Sequence, residues 1–115
     1  MEQKVYLRLA RAIEDDILSG ALREGDPAPS THQAAERFAV NPATAARGMS
    51  QLTESGLLEA RRGVGLFVAQ GARDKIWNDR RRAFRDTLLP ELVDEARKLG
   101  VSRQEMIAML MTAHS

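Results

Sequence analysis

Cysteine is absent from the 115 residues, which excludes disulfides, thiolate metal sites and cysteine nucleophiles together. Only two histidines occur, His32 and His114, which largely rules out metal clusters and Cys/His catalytic pairs. No window approaches the ~20 apolar residues that a membrane span needs. No apolar stretch follows a basic N-terminus as it does in a signal peptide. A cytoplasmic location without a membrane partner is therefore expected. Gly63 and Gly65 match neither a phosphate loop nor a dinucleotide fingerprint. Ser30 and His32 stand two apart on one turn, without the strand-turn-helix elbow that exposes a serine nucleophile. Neither a cofactor nor an enzymatic activity is expected.

A strong charge of one sign is missing too. The formal net charge is +1, and the first 70 residues hold eight Lys/Arg against nine Asp/Glu, the remainder nine against seven. Affinity for nucleic acid comes from cations displacing counterions at phosphates, so the placement of charge matters more than its sum.

What is present is a series of helix signals. Tyr6, Leu9, Ala10, Ile13 and Ile17 repeat with the spacing of an amphipathic helix, which Gly20 ends. Residues 23–29, with two prolines and a glycine, read as a turn-rich connector. Ser30-Thr31-His32-Gln33 matches a capping box at the head of a short helix, with Ala34, Ala35 and Phe38 facing inward. Asn41-Pro42 opens the next helix as an N-cap followed by proline at the first position. That helix runs to about Ser55 with Ala45, Met49 and Leu52 inside. Ala43, Thr44, Ala46, Arg47 and Gln51 lie toward its other side. Gly48 in its middle costs roughly 1 kcal/mol relative to alanine. Two short helices joined by a tight turn form a helix-turn-helix.

Two short strands, 57–61 and 66–69, flank Arg62-Gly63-Val64-Gly65 and predict a hairpin wing. Residues 75–89 read as a helix carrying Trp77, Phe84, Leu88 and the basic run Arg80 to Arg85, some of whose members are expected to pair with Asp79 or Asp86 at the surface or across a dimer interface. Pro90 interrupts it and opens a second helix, with Leu92, Val93, Ala96 and Leu99 inside. Ser102-Arg103-Gln104-Glu105 caps a last helix bearing Met106, Ile107, Leu110 and Met111. The fold class expected is mainly α with a small β-hairpin: a winged helix-turn-helix over residues 1–70, then a short helical tail over 71–115.

The chain resembles the GntR family of bacterial regulators. The resemblance rests on Ile17-Leu18-Ser19-Gly20-Ala21-Leu22, Gly25-Asp26, Pro29-Ser30, Val40-Asn41-Pro42-Ala43-Thr44, Leu52-Thr53-Glu54-Ser55-Gly56-Leu57-Leu58 and Arg61-Arg62-Gly63-Val64-Gly65-Leu66-Phe67-Val68. These stretches occur in the family's order and spacing over about residues 5–70. The Asn-Pro opening, Arg47 and the short tail are similar to the YtrA-type branch of small dimeric repressors, which often control neighbouring transporter operons. Where the family commonly has Leu-Pro-Ser-Glu-Arg-Glu-Leu, this chain has Ala28-Pro29-Ser30-Thr31-His32-Gln33-Ala34, so His32 replaces an arginine that touches DNA. Ala43, Ala45 and Ala46 are smaller than is usual in the family.

The resemblance implies double-stranded DNA as partner and a pseudo-palindromic site read by a homodimer. Arg47 is the expected base reader, since a guanidinium donates two hydrogen bonds to guanine. Ala43 and Thr44 are candidates for a thymine methyl or a phosphate. Ser30, Thr31, His32 and Asn41 are candidates for the backbone, although Ser30 and Asn41 would cap helices in any fold. Arg61, Arg62 and Gly63 form the wing's contact to the minor groove or phosphates. Trp77, Phe84, Leu88, Leu92, Ile107 and Leu110 are the expected dimerisation residues. A small-molecule effector, if one exists, is expected near Trp77. The alternative is a winged helix serving as a protein-interaction or assembly module, favoured by the weak net charge and the alanine-rich helix.

Overall fold

The computed structural model describes residues 4–113; His114 lies outside them. Six α-helices and one hairpin follow in the order α1 (Val5–Ser19), α2 (Thr31–Phe38), α3 (Pro42–Glu54), β1 (Leu58–Arg61), β2 (Gly65–Val68), α4 (Ala72–Ala83), α5 (Leu89–Lys98) and α6 (Arg103–Thr112), with a π-helical turn at Phe84–Leu88. The chain is mainly helical with a two-stranded antiparallel hairpin, a winged helix-turn-helix followed by a helical segment. Among the described residues no helix is long and apolar enough to cross a membrane.

Two compact units divide at Trp77 and Asn78. In the first, the apolar stripe of α1 (Leu9, Ala10, Ile13, Ile17) packs with Ala34 and Ala35 of α2 and Ala45, Met49 and Leu52 of α3. Leu57, Leu58 and Val68 of the wing complete this core, together with Ala72 and Ile76. The last two are 1% and 2% exposed, so the first unit continues past residue 70, where the sequence placed its edge.

Local chemistry sets the ends of these helices. The Ser30 hydroxyl accepts from the Gln33 amide at 3.1 Å while Gln33 Oε1 accepts from the Ser30 amide at 2.9 Å, the reciprocal pair of a capping box. Asn41 Oδ1 accepts from the Thr44 amide at 2.8 Å. The helix-turn-helix turn is a Schellman end: the Val40 amide donates to the Ala35 carbonyl and the Ala39 amide to that of Glu36. Ala39 takes φ 53° there, the one positive φ among non-glycine described residues. Helix α3 ends the same way with Gly56 at φ 79°, and Lys75 Nζ donates to the Ser55 carbonyl.

The wing pairs Leu58 with Val68 and Arg61 with Gly65. Residues 25–28, expected as a turn-rich connector, run alongside β2: the Gly25 amide donates to the Val68 carbonyl, Val68 to Asp26 and Ala28 to Leu66, at 2.8–2.9 Å. The segment leading into α2 is thereby fastened to the hairpin.

In the second unit, Pro90 stands in the first turn of α5, as expected, but no break in the chain separates that helix from the π-helical turn before it. Ala83, Leu88 and Leu89 all keep right-handed helical angles. Proline has no N–H to give, and its ring crowds the carbonyl four residues back. The backbone widens before it, and the Leu89 amide donates to the Phe84 carbonyl five residues earlier. Arg82 pairs with Asp79 at 3.7 Å and Arg85 with Asp86 at 2.9 Å. The hydrogen bond from Arg85 holds the Asp86 carboxyl below its ordinary range and raises the pKa of the arginine. Ser102 and Glu105 form the second capping box, at the head of α6.

A further expectation fails here. Of the four residues assigned to the inside of α5, only Ala96 is buried; Leu92, Val93 and Leu99 are 50%, 39% and 70% exposed. Among the described residues of this unit, α5 packs chiefly with the π-helical turn before it, so its stripe lies open in the single chain.

Candidate nucleic-acid interface

Helix α3 buries Ala45, Gly48, Met49 and Leu52, which by helical spacing aims positions 43, 47 and 50 directly away from the core. Ala43, Arg47 and Ser50 are exposed, and half-buried Thr44 lies at the edge of that face. Ser50 was not singled out from the sequence. Its position became readable only when Gly48 proved to be a core residue, which turns the buried face toward 48 and its opposite toward 50.

Arg47 forms no ion pair or hydrogen bond among the described residues; its guanidinium carbon lies 4.0 Å from the centroid of the Tyr6 ring on α1. Stacking uses the face of the guanidinium and leaves its in-plane N–H donors available for a planar acceptor edge.

The head of α3 is partly committed. Pro42 has no N–H and the Thr44 amide is held by Asn41, so within residues 42–44 Ala43 alone keeps an unengaged amide. At the head of α2 only the Gln33 amide is engaged by the cap, leaving those of Thr31 and His32. Ser30 and Asn41 thus act as caps. The His32 ring is turned along the helix, with Nε2 2.9 Å from Glu36 Oε1, both side chains largely exposed.

In the wing, cross-strand pairing puts Glu59, Arg61, Gly65 and Phe67 on one face. Gly65, opposite Arg61, has no side chain, and Arg61 leans diagonally onto the Phe67 ring at 4.0 Å. Arg62 and Gly63 form the exposed tip, where the Val64 amide closes the turn on the Arg61 carbonyl at 2.9 Å. Arg62 makes no ion pair among the described residues. The supporting rings, Tyr6 and Phe67, escaped sequence reading because each is remote in the chain from, or diagonal to, the arginine it carries.

The residues assigned to dimerisation are all exposed in the single chain: Trp77 44%, Phe84 62%, Leu88 54%, Leu92 50%, Ile107 53% and Leu110 66%.

Residues 5–68, the helix-turn-helix and its wing, match the bacterial regulatory proteins of the gntR family. The chain belongs to the GntR family. Among its relatives, the HTH-type transcriptional regulator YhcF of Bacillus subtilis is 31% identical over 108 residues, 94% of this chain and 88% of that protein. The HTH-type transcriptional repressor YtrA of the same organism is 22% identical over 102 residues, 89% and 78% of the two chains. A GntR family transcriptional regulator from Listeria monocytogenes has the same fold, with a TM-score of 0.79 at 23% identity over 98% of this chain and 97% of that one. The DNA-binding domain of AraR in complex with operator ORX1 aligns with a TM-score of 0.56 at 25% identity, covering 59% of this chain and 82% of that one. This GntR protein is therefore a transcriptional regulator with a DNA-binding domain, and its fold and relatives are not those of an enzyme.

Proposed function

We propose that this GntR protein is a cytoplasmic homodimeric repressor that reads a pseudo-palindromic operator of its own or a neighbouring operon, a transporter operon being the first to test. The observation that carries this reading is Arg47, exposed on the outward face of α3 and unneutralised by any carboxylate among the described residues. In this reading Arg47 takes a guanine edge, Ala43 and Thr44 a thymine methyl or a phosphate, and the α2 head from Ser30 to His32 the backbone. Arg61, Arg62 and Gly63 enter the minor groove or meet its phosphates. Asn41 holds α3 in place.

Support for DNA comes from the aligned AraR domain, solved on an operator, and for repression from the relative named a repressor. Support for a dimer comes from the uncovered apolar side chains of the tail, because water-exposed Phe84, Leu88, Leu92, Ile107 and Leu110 are costly unless covered. A two-fold dimer places its recognition helices about 34–36 Å apart, one turn of DNA. A small-molecule effector acting near Trp77 fits the same arrangement, and titration against tryptophan fluorescence tests it.

The deciding experiment is fluorescence anisotropy with the protein's own promoter and with random DNA at two salt concentrations. Preference for the promoter and steep weakening with salt are expected. Equal affinity for both duplexes at physiological salt would transfer the assignment to a protein-interaction module.

A further inference from the structure

The winged unit has three arginines on aromatic faces, and their charges are treated differently. Arg37 lies 4.8 Å from the Phe38 ring and also pairs with Asp16 at 2.7 Å. Arg47 on Tyr6 and Arg61 on Phe67, each at 4.0 Å, have no carboxylate partner among the described residues. A carboxylate holds an arginine by neutralising it, whereas a ring holds it with the charge intact and the hydrogen-bonding edge open. The backbone that carries Tyr6 is itself held close against α3. Gly48, next in sequence to Arg47, admits α1 so closely that an added Cβ would stand 2.9 Å from the Tyr6 carbonyl oxygen and 2.8 Å from Leu9 Cδ2.

We infer that Tyr6 is a positioning residue for Arg47 and, through it, a determinant of operator specificity. The ring restricts the guanidinium to one region beside the outward face of α3 before DNA arrives. Less side-chain freedom is then lost on binding, and the fork is presented to a base edge instead of sampling nearby phosphates. Tyr6 adds no charge, so its contribution falls on discrimination between sequences and not on general attraction to DNA. The inference rests on the reading of Arg47 as a base reader.

The test is a double-mutant cycle in the full chain, with affinities for the own promoter and a random duplex measured by anisotropy at two salt concentrations. Tyr6→Leu is expected to reduce the promoter-to-random ratio by roughly 3- to 30-fold, with random-DNA affinity and salt slope unchanged. Tyr6→Phe keeps the ring and retains the ratio. In an Arg47→Ala background, Tyr6→Leu adds no further loss. In the free protein, NMR resonances of the Arg47 side chain lose their ring-current shift in Tyr6→Leu. Should Tyr6→Leu melt below the assay temperature, Tyr6→Met takes its place in the cycle. Multiplicative losses from Tyr6→Leu and Arg47→Ala overturn the inference while sparing the base-reader assignment, as does a loss in Tyr6→Phe equal to that in Tyr6→Leu. An Arg47→Ala variant with undiminished discrimination removes both.

Discussion

Gly48 on α3 meets Tyr6 and Leu9 on α1 so closely that even a methyl group has no place there: an added Cβ would stand 2.9 Å from the Tyr6 carbonyl oxygen. A glycine in mid-helix reads as a loss of about 1 kcal/mol against alanine, and by helix propensity Gly48→Ala would stabilise the protein. The structure reverses that sign. Leu9 is fully buried and a backbone carbonyl cannot step aside, so overpacking costs about 1–3 kcal/mol. Gly48→Ala is expected to lower the urea midpoint and the melting temperature, the latter by several degrees. A higher midpoint would show that α1 shifts without cost.

Ala39 presents the opposite case. It holds φ 53° at the end of α2, a left-handed conformation that costs a residue with a Cβ about 1–2 kcal/mol. Glycine adopts it without that cost, at some expense in unfolded-chain entropy. Ala39→Gly is expected to stabilise the protein by about 0.5–1 kcal/mol in urea titration while leaving DNA affinity unchanged. A destabilised variant would mean that the methyl group packs usefully in the turn.

Arg47 and Arg62 should separate in a binding assay although both are exposed arginines. Arg47→Ala is expected to cost about 1–3 kcal/mol on the operator and little on random DNA. Arg62→Ala should weaken both duplexes alike and lower the salt slope by about 0.9 for each phosphate that is no longer neutralised. Matching profiles for the two variants would refute the division of labour between helix and wing.

A charge on the apolar stripe of α5 tests the dimer. Leu92 is 50% exposed in the single chain, so Leu92→Glu leaves the fold of the protomer intact. Sedimentation is expected to show a monomer, and operator affinity should fall by about 10²- to 10⁴-fold as the two half-sites cease to be linked. An unchanged sedimentation profile would place the interface elsewhere.

How much of this was legible in the sequence depended on distance along the chain. The heads of α2, α3 and α6 were readable because Ser30 with Gln33, Asn41 with Pro42, and Ser102 with Glu105 complete their chemistry within four residues. The stripe of α1 and the hairpin were readable by period. Gly48 reads as a cost in the sequence because the group that requires its missing side chain lies some forty residues earlier, on α1. The ring under Arg47 was invisible for the same reason. The connector at residues 25–28 carried the marks of a turn, and nothing local announced the carbonyls of β2 that it would find. Pro90 reads as a break, since a widened turn that absorbs proline leaves no mark on residue identity. The tail's apolar positions were recognisable as a stripe, but a period does not say what covers it.

The caps at the two helix heads also set a valence for anions. Helix α2 offers consecutive amides from Thr31 and His32, whereas the first turn of α3 offers that of Ala43 alone, because Asn41 already occupies the amide of Thr44. In the proposed complex, a phosphate would meet two main-chain amides at α2 but a single one at α3. Removing the Asn41 side chain would raise the valence of α3 to two while loosening the helix that carries Arg47. Stability and grip on the backbone are thus opposed at one residue.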